Sequence, residues 1–136
     1  MRRFGRKIAA RYAPQSAHPV TEPETRYALI LLCLKEAEEK GYIGLKTRKL
    51  MRLLEERGVF YGTARKLAQD LISLRKLGLV EASNPYGGSK SRRYFLTPEG
   101  HEAAEEIKAY MNRGAPREEY ARYLENLFKR VVLRVM

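Results

Sequence analysis

Apolar residues recur along this chain at helical spacing in five stretches and at strand spacing in three shorter ones. Tyr27, Ile30, Leu31 and Leu34 stand three, four and seven positions apart, the spacing of one helical face, while Ala28, Leu29, Leu32 and Cys33 are apolar as well. A helix apolar nearly all round in its first half must be covered on two sides, and Cys33 belongs to that covered surface rather than to a nucleophilic site. Thr21 opens this helix, with Glu24 three residues on at capping-box spacing and Pro23 in the first turn, and it runs to about Lys40 before Gly41. Tyr42-Ile43-Gly44-Leu45 suits a brief strand. Thr47 caps a second helix from about Arg48 to Arg57, apolar at Leu50, Met51, Leu53 and Leu54 and ended by Gly58. After the tight connection Val59-Phe60-Tyr61-Gly62, a third helix spans about Thr63 to Lys76. Its expected core face is Ala64, Leu67, Leu71 and Leu74, and Gly78 closes it.

The rest of the pattern is a hairpin and two helices. Leu79-Val80-Glu81-Ala82 reads as a strand, Ser83 to Ser89 as a turn-rich loop, and Arg92 to Leu96 as a returning strand of aromatic and apolar type. Thr97-Pro98-Glu99 opens a fourth helix that ends near Asn112. Gly114-Ala115-Pro116 breaks the chain, and a last helix from Arg117 to about Val135 carries Tyr120, Leu124, Leu127, Val131 and Val135 on one stripe. The spacing of that stripe is close to a coiled-coil seam. It therefore needs a cover, either the first helix of its own chain or the same surface across a two-fold axis, and the two-fold arrangement, a homodimer, is the favoured expectation.

Composition narrows the class. The longest unbroken apolar run, Tyr27 to Leu34, is eight residues, against about 20 for a membrane helix. Cys33 stands alone and only His18 and His101 are imidazoles, so neither an intrachain disulfide nor a cysteine zinc cluster is available, and no metal or other cofactor is expected. The expectation is a soluble cytoplasmic protein, located at the nucleoid or the ribosome. Charge is more telling. Lys and Arg number 27 against 16 acids, a formal +11 over 136 residues. Residues 1–20 hold Arg2, Arg3, Arg6, Lys7 and Arg11 and no acid, so nearly half the excess lies in a short N-terminal arm. Dense like charge does not pack into a core and is most often an interaction arm for a polyanion. The competing readings are a solvated tail and a targeting peptide. Phe4, Ile8 and Tyr12, four apart, would let the arm form one short helix on a partner. The expected organisation is a basic arm over 1–20, a folded domain over 21–113, and a C-terminal helix over 114–136 that packs on the first helix or on a partner.

Two short helices joined by a tight turn and followed at once by a two-stranded hairpin form the winged helix–turn–helix order. Leu74-Arg75-Lys76-Leu77-Gly78-Leu79-Val80-Glu81 resembles the end of a recognition helix running into the wing in PadR-like and MarR-like regulators. Arg92-Arg93-Tyr94-Phe95-Leu96-Thr97-Pro98-Glu99-Gly100 is similar to the returning wing strand and following helix start of PadR-like proteins. The resemblance covers about residues 24–112, departs at both ends, and implies a mainly α fold with a small β-hairpin wing, to which this chain adds a basic arm and an extra C-terminal helix.

With that order, the third helix is the element that would enter a major groove. Its expected outward set is Thr63, Arg65, Lys66, Gln69, Asp70 and Ser73. Arg and Lys donate to guanine, Gln pairs with adenine, and Thr and Ser serve bases or phosphates. Asp70 would repel phosphate unless it pairs with Lys66 one turn back. Lys90, Arg92 and Arg93 in the wing would meet phosphate or the minor groove; their alternative role is a charged edge that discourages sheet-to-sheet pairing. The nucleic-acid-binding expectation thus comprises Thr63, Arg65, Lys66, Gln69 and Ser73 of the third helix, Lys90, Arg92 and Arg93 of the wing, and the five cations of the arm, Arg2, Arg3, Arg6, Lys7 and Arg11. Double-stranded DNA and a transcriptional regulator are favoured. The alternative is a ribosome-associated structural protein holding structured RNA through arm and wing, and a third reading is a protein-docking winged helix. No catalytic constellation stands out. Gly87-Gly88-Ser89-Lys90-Ser91 lacks the frame of a phosphate loop and precedes a strand, and Glu102, Glu105 and Glu106 read as a solvated acidic face.

Overall fold

The computed structural model describes residues 22–84 and 92–136. Among them the order is α1 (Pro23–Glu39), α2 (Thr47–Glu55), α3 (Ala64–Lys76), β1 (Val80–Ser83), β2 (Arg93–Leu96), α4 (Pro98–Met111) and α5 (Arg117–Val135). This is a mainly helical winged helix–turn–helix with a two-stranded wing and an added C-terminal helix.

The first helix is the centre of the molecule because its sequence is apolar on more than one side. Ala28, Ile30, Leu31, Leu32, Cys33, Leu34 and Ala37 are all buried, and α2, α4, α5 and β2 pack around them. Burial pushes the Cys33 thiol up to about 11, so it stays protonated and inert at neutral pH. Thr21 lies outside the described residues. Glu22 occupies the N-cap without a side-chain cap bond, so α1 starts on the fixed φ of Pro23 rather than on a capping box. Thr47, expected as a cap, is instead the first residue of α2, and Lys46 precedes it with no cap bond.

The strand expected at 42–45 shrinks to one bridge, in which Leu45 and Tyr94 exchange both backbone hydrogen bonds at 2.9 Å. Gly44 makes that approach possible. Its φ is +74°, and a Cβ there would lie 3.1 Å from both the Arg93 Cβ and the Tyr94 carbonyl oxygen. The wing proper pairs Val80 with Leu96 and Ser83 with Arg93, antiparallel; the connection at 85–91 lies outside the described residues.

A small set of polar bonds docks α4 on the base of the wing. Thr97 caps α4 by accepting from the Gly100 amide at 2.9 Å, and its hydroxyl donates to the Gly78 carbonyl at 2.6 Å. The Thr97 amide donates to the Leu79 carbonyl at 3.1 Å. Gly100 faces the same carbonyl so closely that a Cβ would fall 2.0 Å from its oxygen.

The last helix lies on its own chain. Leu124, Leu127, Phe128 and Val131 are buried, and Phe128 meets Tyr27 of α1 edge to face at 5.6 Å. The stripe expected to form a dimer seam is therefore used largely inside the protomer: of its members, Tyr120 is half-buried and only Val135 is exposed. A single helix suffices as a cover because α1 offers a second apolar side. The acidic face expected on α4 is likewise partnered. Glu105 pairs with Lys35 of α1 at 3.3 Å, and Glu106 accepts from Tyr123 at 2.7 Å and Arg130 at 3.0 Å of α5. Beside them, the Tyr110 and Tyr123 rings stack in parallel at 4.0 Å.

Candidate nucleic-acid interface

Three elements meet to orient α3. The helix starts at Thr63, which sits at the N-cap and accepts from the Lys66 amide at 3.3 Å, so this hydroxyl is first a structural cap. Leu67, Leu71 and Leu74 are fully buried beneath the helix. Two expectations about its register are corrected here. Ala64, expected in the core, is exposed, and Asp70, expected outside, is 7% exposed. The true inward set, Leu67, Asp70, Leu71 and Leu74, has the i, i+3, i+4, i+7 spacing of one face, rotated slightly from the one chosen on hydrophobicity alone.

Asp70 is buried because it is fully paired, and not with Lys66. Arg26 of α1 grips it with two bonds, Nε to Oδ2 at 2.8 Å and Nη2 to Oδ1 at 3.2 Å. The Tyr61 hydroxyl, from the connection before α3, donates to Oδ2 at 2.6 Å. The hydrogen bond to Asp70 raises the Arg26 pKa further above its ordinary value, and burial, reinforced by Asp70, drives the Tyr61 phenol far up. Arg26 thus stays a cation and Tyr61 a neutral donor at physiological pH. The triad ties α1, the tight connection and α3 into one unit, and so fixes the rotation of α3 about its axis.

That rotation decides what α3 presents. Arg65, Lys66 and Gln69 are exposed, as expected. Ser73 is half-buried and its hydroxyl donates to the Gln69 carbonyl at 3.2 Å, which leaves it only as an acceptor. In the wing, Arg92 and Arg93 are exposed at the start of β2. Arg75 is drawn to Glu81 of β1 at 3.3 Å, a bond between α3 and the wing. Lys90 and the arm residues Arg2, Arg3, Arg6, Lys7 and Arg11 lie outside the described residues. Sequence reasoning missed Arg26 and Tyr61, for which it offered no local signal, and also Ile72, which is 48% exposed on α3. Among the described residues no group of three or more His, Cys, Asp or Glu is placed to hold a metal ion, and no helix is long and apolar enough to cross a membrane.

No family model matches the chain, and no curated protein sequence matches it. Solved structures do. A point mutant of MepR from a multidrug-resistant S. aureus clinical isolate aligns with a TM-score of 0.52 at 15% identity, over 92% of this chain and 90% of that one. S. aureus MepR in complex with DNA aligns at 0.48 and 13% identity, over 82% and 81%. The zinc-responsive MarR family member ZitR of Lactococcus lactis aligns at 0.45 and 15%, over 87% and 81%. At these identities the likeness is one of fold: the chain shares the winged-helix fold of the MepR mutant.

Proposed function

We propose that this protein is a double-stranded-DNA-binding transcriptional regulator of MarR-like type that acts by occupying a promoter, without catalysis. The observation that carries the reading is the outward face of α3, where Arg65, Lys66 and Gln69 stand exposed while the Arg26–Asp70–Tyr61 triad holds the opposite face inward. An acid that would have faced phosphate is thereby withdrawn and neutralised, leaving guanine- and adenine-reading groups in a basic setting. The fold shared with MepR, a protein solved with DNA, supports the same reading.

In this reading Arg65 and Gln69 meet base edges, Lys66 and the capped Thr63 lie beside phosphate, Ser73 accepts at the flank, and Arg92 and Arg93, with Lys90, hold the backbone on either side of the groove. The arm, through Arg2, Arg3, Arg6, Lys7 and Arg11, adds affinity without specificity. Two copies pair through the surface that α5 leaves free, so that two α3 helices read paired half-sites.

The test is the salt dependence of binding to a random-sequence duplex. Every phosphate that the protein no longer neutralises lowers the log–log slope by about 0.9. Replacing Arg92 and Arg93 by Ala should weaken binding to all sequences and flatten the slope by about 2 units; deleting residues 1–12 should flatten it by up to about 4. A chain that shifts no duplex at low salt but co-sediments with ribosomes overturns the reading in favour of RNA.

A further inference from the structure

The outward face of α3 contains one residue that phosphate and salt do not explain. At about 100° per residue, Arg65, Gln69, Ile72 and Lys76 form a column nearly opposite the buried Leu67, Leu71 and Leu74. All four column residues are exposed. Ile72 is 48% exposed, and it is the one large apolar side chain on α3 among the exposed large hydrophobics.

Along α3, its setting is not that of an apolar docking stripe. A protein-docking patch is contiguous, whereas Ile72 is bracketed along its column by Gln69 one turn before and Lys76 one turn after, with Ser73 beside it. The other exposed large hydrophobics among the described residues lie on different elements: Tyr42 and Ile43 before α2, Phe60 before α3, and Met111, Val132, Leu133, Val135 and Met136 at the ends of α4 and α5. Nor does Ile72 serve the core, whose members on this helix face the other way. A β-branched residue on a solvent face also has lower helix propensity than the Lys or Gln next to it. What remains is a short apolar end set in a row of base-reading groups.

In the major groove one base presents an apolar group, the C5-methyl of thymine. The helix rises 1.5 Å per residue, so Ile72 stands about 4.5 Å beyond Gln69 along the axis, on the order of one base-pair step of 3.4 Å. We infer that Ile72 is a specificity-determining residue that packs on a thymine methyl adjacent to the base pair faced by Gln69. Arg65, Gln69 and Ile72 then read in succession a guanine, an adenine and a thymine, and Lys76 closes the column on a phosphate. This inference rests on the DNA-binding reading above and extends it from affinity to sequence.

The experiment uses the full chain and a preferred duplex selected from a random library. Each thymine of that duplex is replaced singly by deoxyuridine, which removes the methyl and leaves base pairing intact. One thymine in each bound half-site should lose about fourfold in affinity on replacement, the worth of one buried methyl group. Ile72→Ala should bind the thymine duplex about fourfold or more weakly and show no further loss with deoxyuridine, whereas Ile72→Val should keep the sensitivity. Because Ile72 is exposed, both variants should retain the wild-type circular dichroism spectrum and melting temperature. Duplex binding that is indifferent to deoxyuridine everywhere, or a methyl sensitivity that survives in Ile72→Ala, overturns the role of Ile72 and leaves the DNA-binding reading standing. Absence of binding to any duplex overturns both.

Discussion

Asp70 illustrates how a single charged side chain comes to sit in a core. A carboxylate removed from water is costly unless its oxygens are matched, and here two bonds from Arg26 and one from Tyr61 satisfy it. Removing one partner of such a group is far more damaging than never having built it. Asp70→Ala should therefore destabilise the fold by about 3 kcal/mol, toward the low end for a buried pair because the Arg26 side chain keeps 23% of its exposure. Tyr61→Phe, which leaves the ion pair intact, should cost about 1.5 kcal/mol, the worth of a hydrogen bond to a charged group. Urea unfolding of the two variants measures both; equal stability of Asp70→Ala and wild type would mean that the triad does not hold α3.

Between elements, the contact of α4 with α5 is where pH should act. Burial pushes Glu106 up, but hydrogen bonds from Tyr123 and Arg130 and the charges of Arg130 and Arg134 pull it down further, so its carboxyl ends below the ordinary glutamate range. A carboxyl depressed in the folded state contributes stability above its unfolded pKa, about 4.3, and that contribution is lost as pH falls toward the lower folded value. The melting temperature of wild type should thus exceed that of Glu106→Gln at pH 6, with the gap closing as pH falls below about 4.3, the unfolded value. The variant removes the charge and keeps an acceptor, so the other titrating carboxylates cancel in the difference. A gap independent of pH would assign the effect to packing alone. The same helix pair encloses a cleft of about 440 Å³ between Glu102, Glu106, Arg130 and Arg134, floored by Leu127 and Val131.

For the molecule as a whole, the apolar area left exposed at the end of α5 is the surface through which the proposed pairing of two copies would run. Val132, Leu133, Val135 and Met136 are 40%, 71%, 50% and 88% exposed, and they continue the helix whose other side is already docked on α1. Exposed clustered apolar area of this kind is a general sign of an interaction surface. Light scattering at tens of micromolar should give a dimer for the full chain and a monomer for Leu133→Asp, with duplex binding weakened in the variant as one half-site is lost. A strict monomer for the wild type would remove paired half-sites from the proposed function.

The order of the elements was written in the sequence. Helical spacing, the glycines that end α1 and α2, and Thr97-Pro98 before α4 are local features, and local features decide where helices start and stop. The doubly apolar first half of α1 likewise announced a central helix, since any such surface has to be covered. The exposure of Arg65, Lys66 and Gln69, the centre of the proposed interface, was legible for the same reason: it follows from knowing which leucines point inward. Other decisions needed the folded chain. Asp70 reads as a surface residue until Arg26, 44 positions away, is brought against it, and no periodicity links two residues on different helices. The stripe on α5 was visible, but whether its own α1 or another copy covers it depends on which apolar side of α1 is still open once α2 and α4 have packed. Periodicity defines a face; only the packing of every element together determines what that face meets.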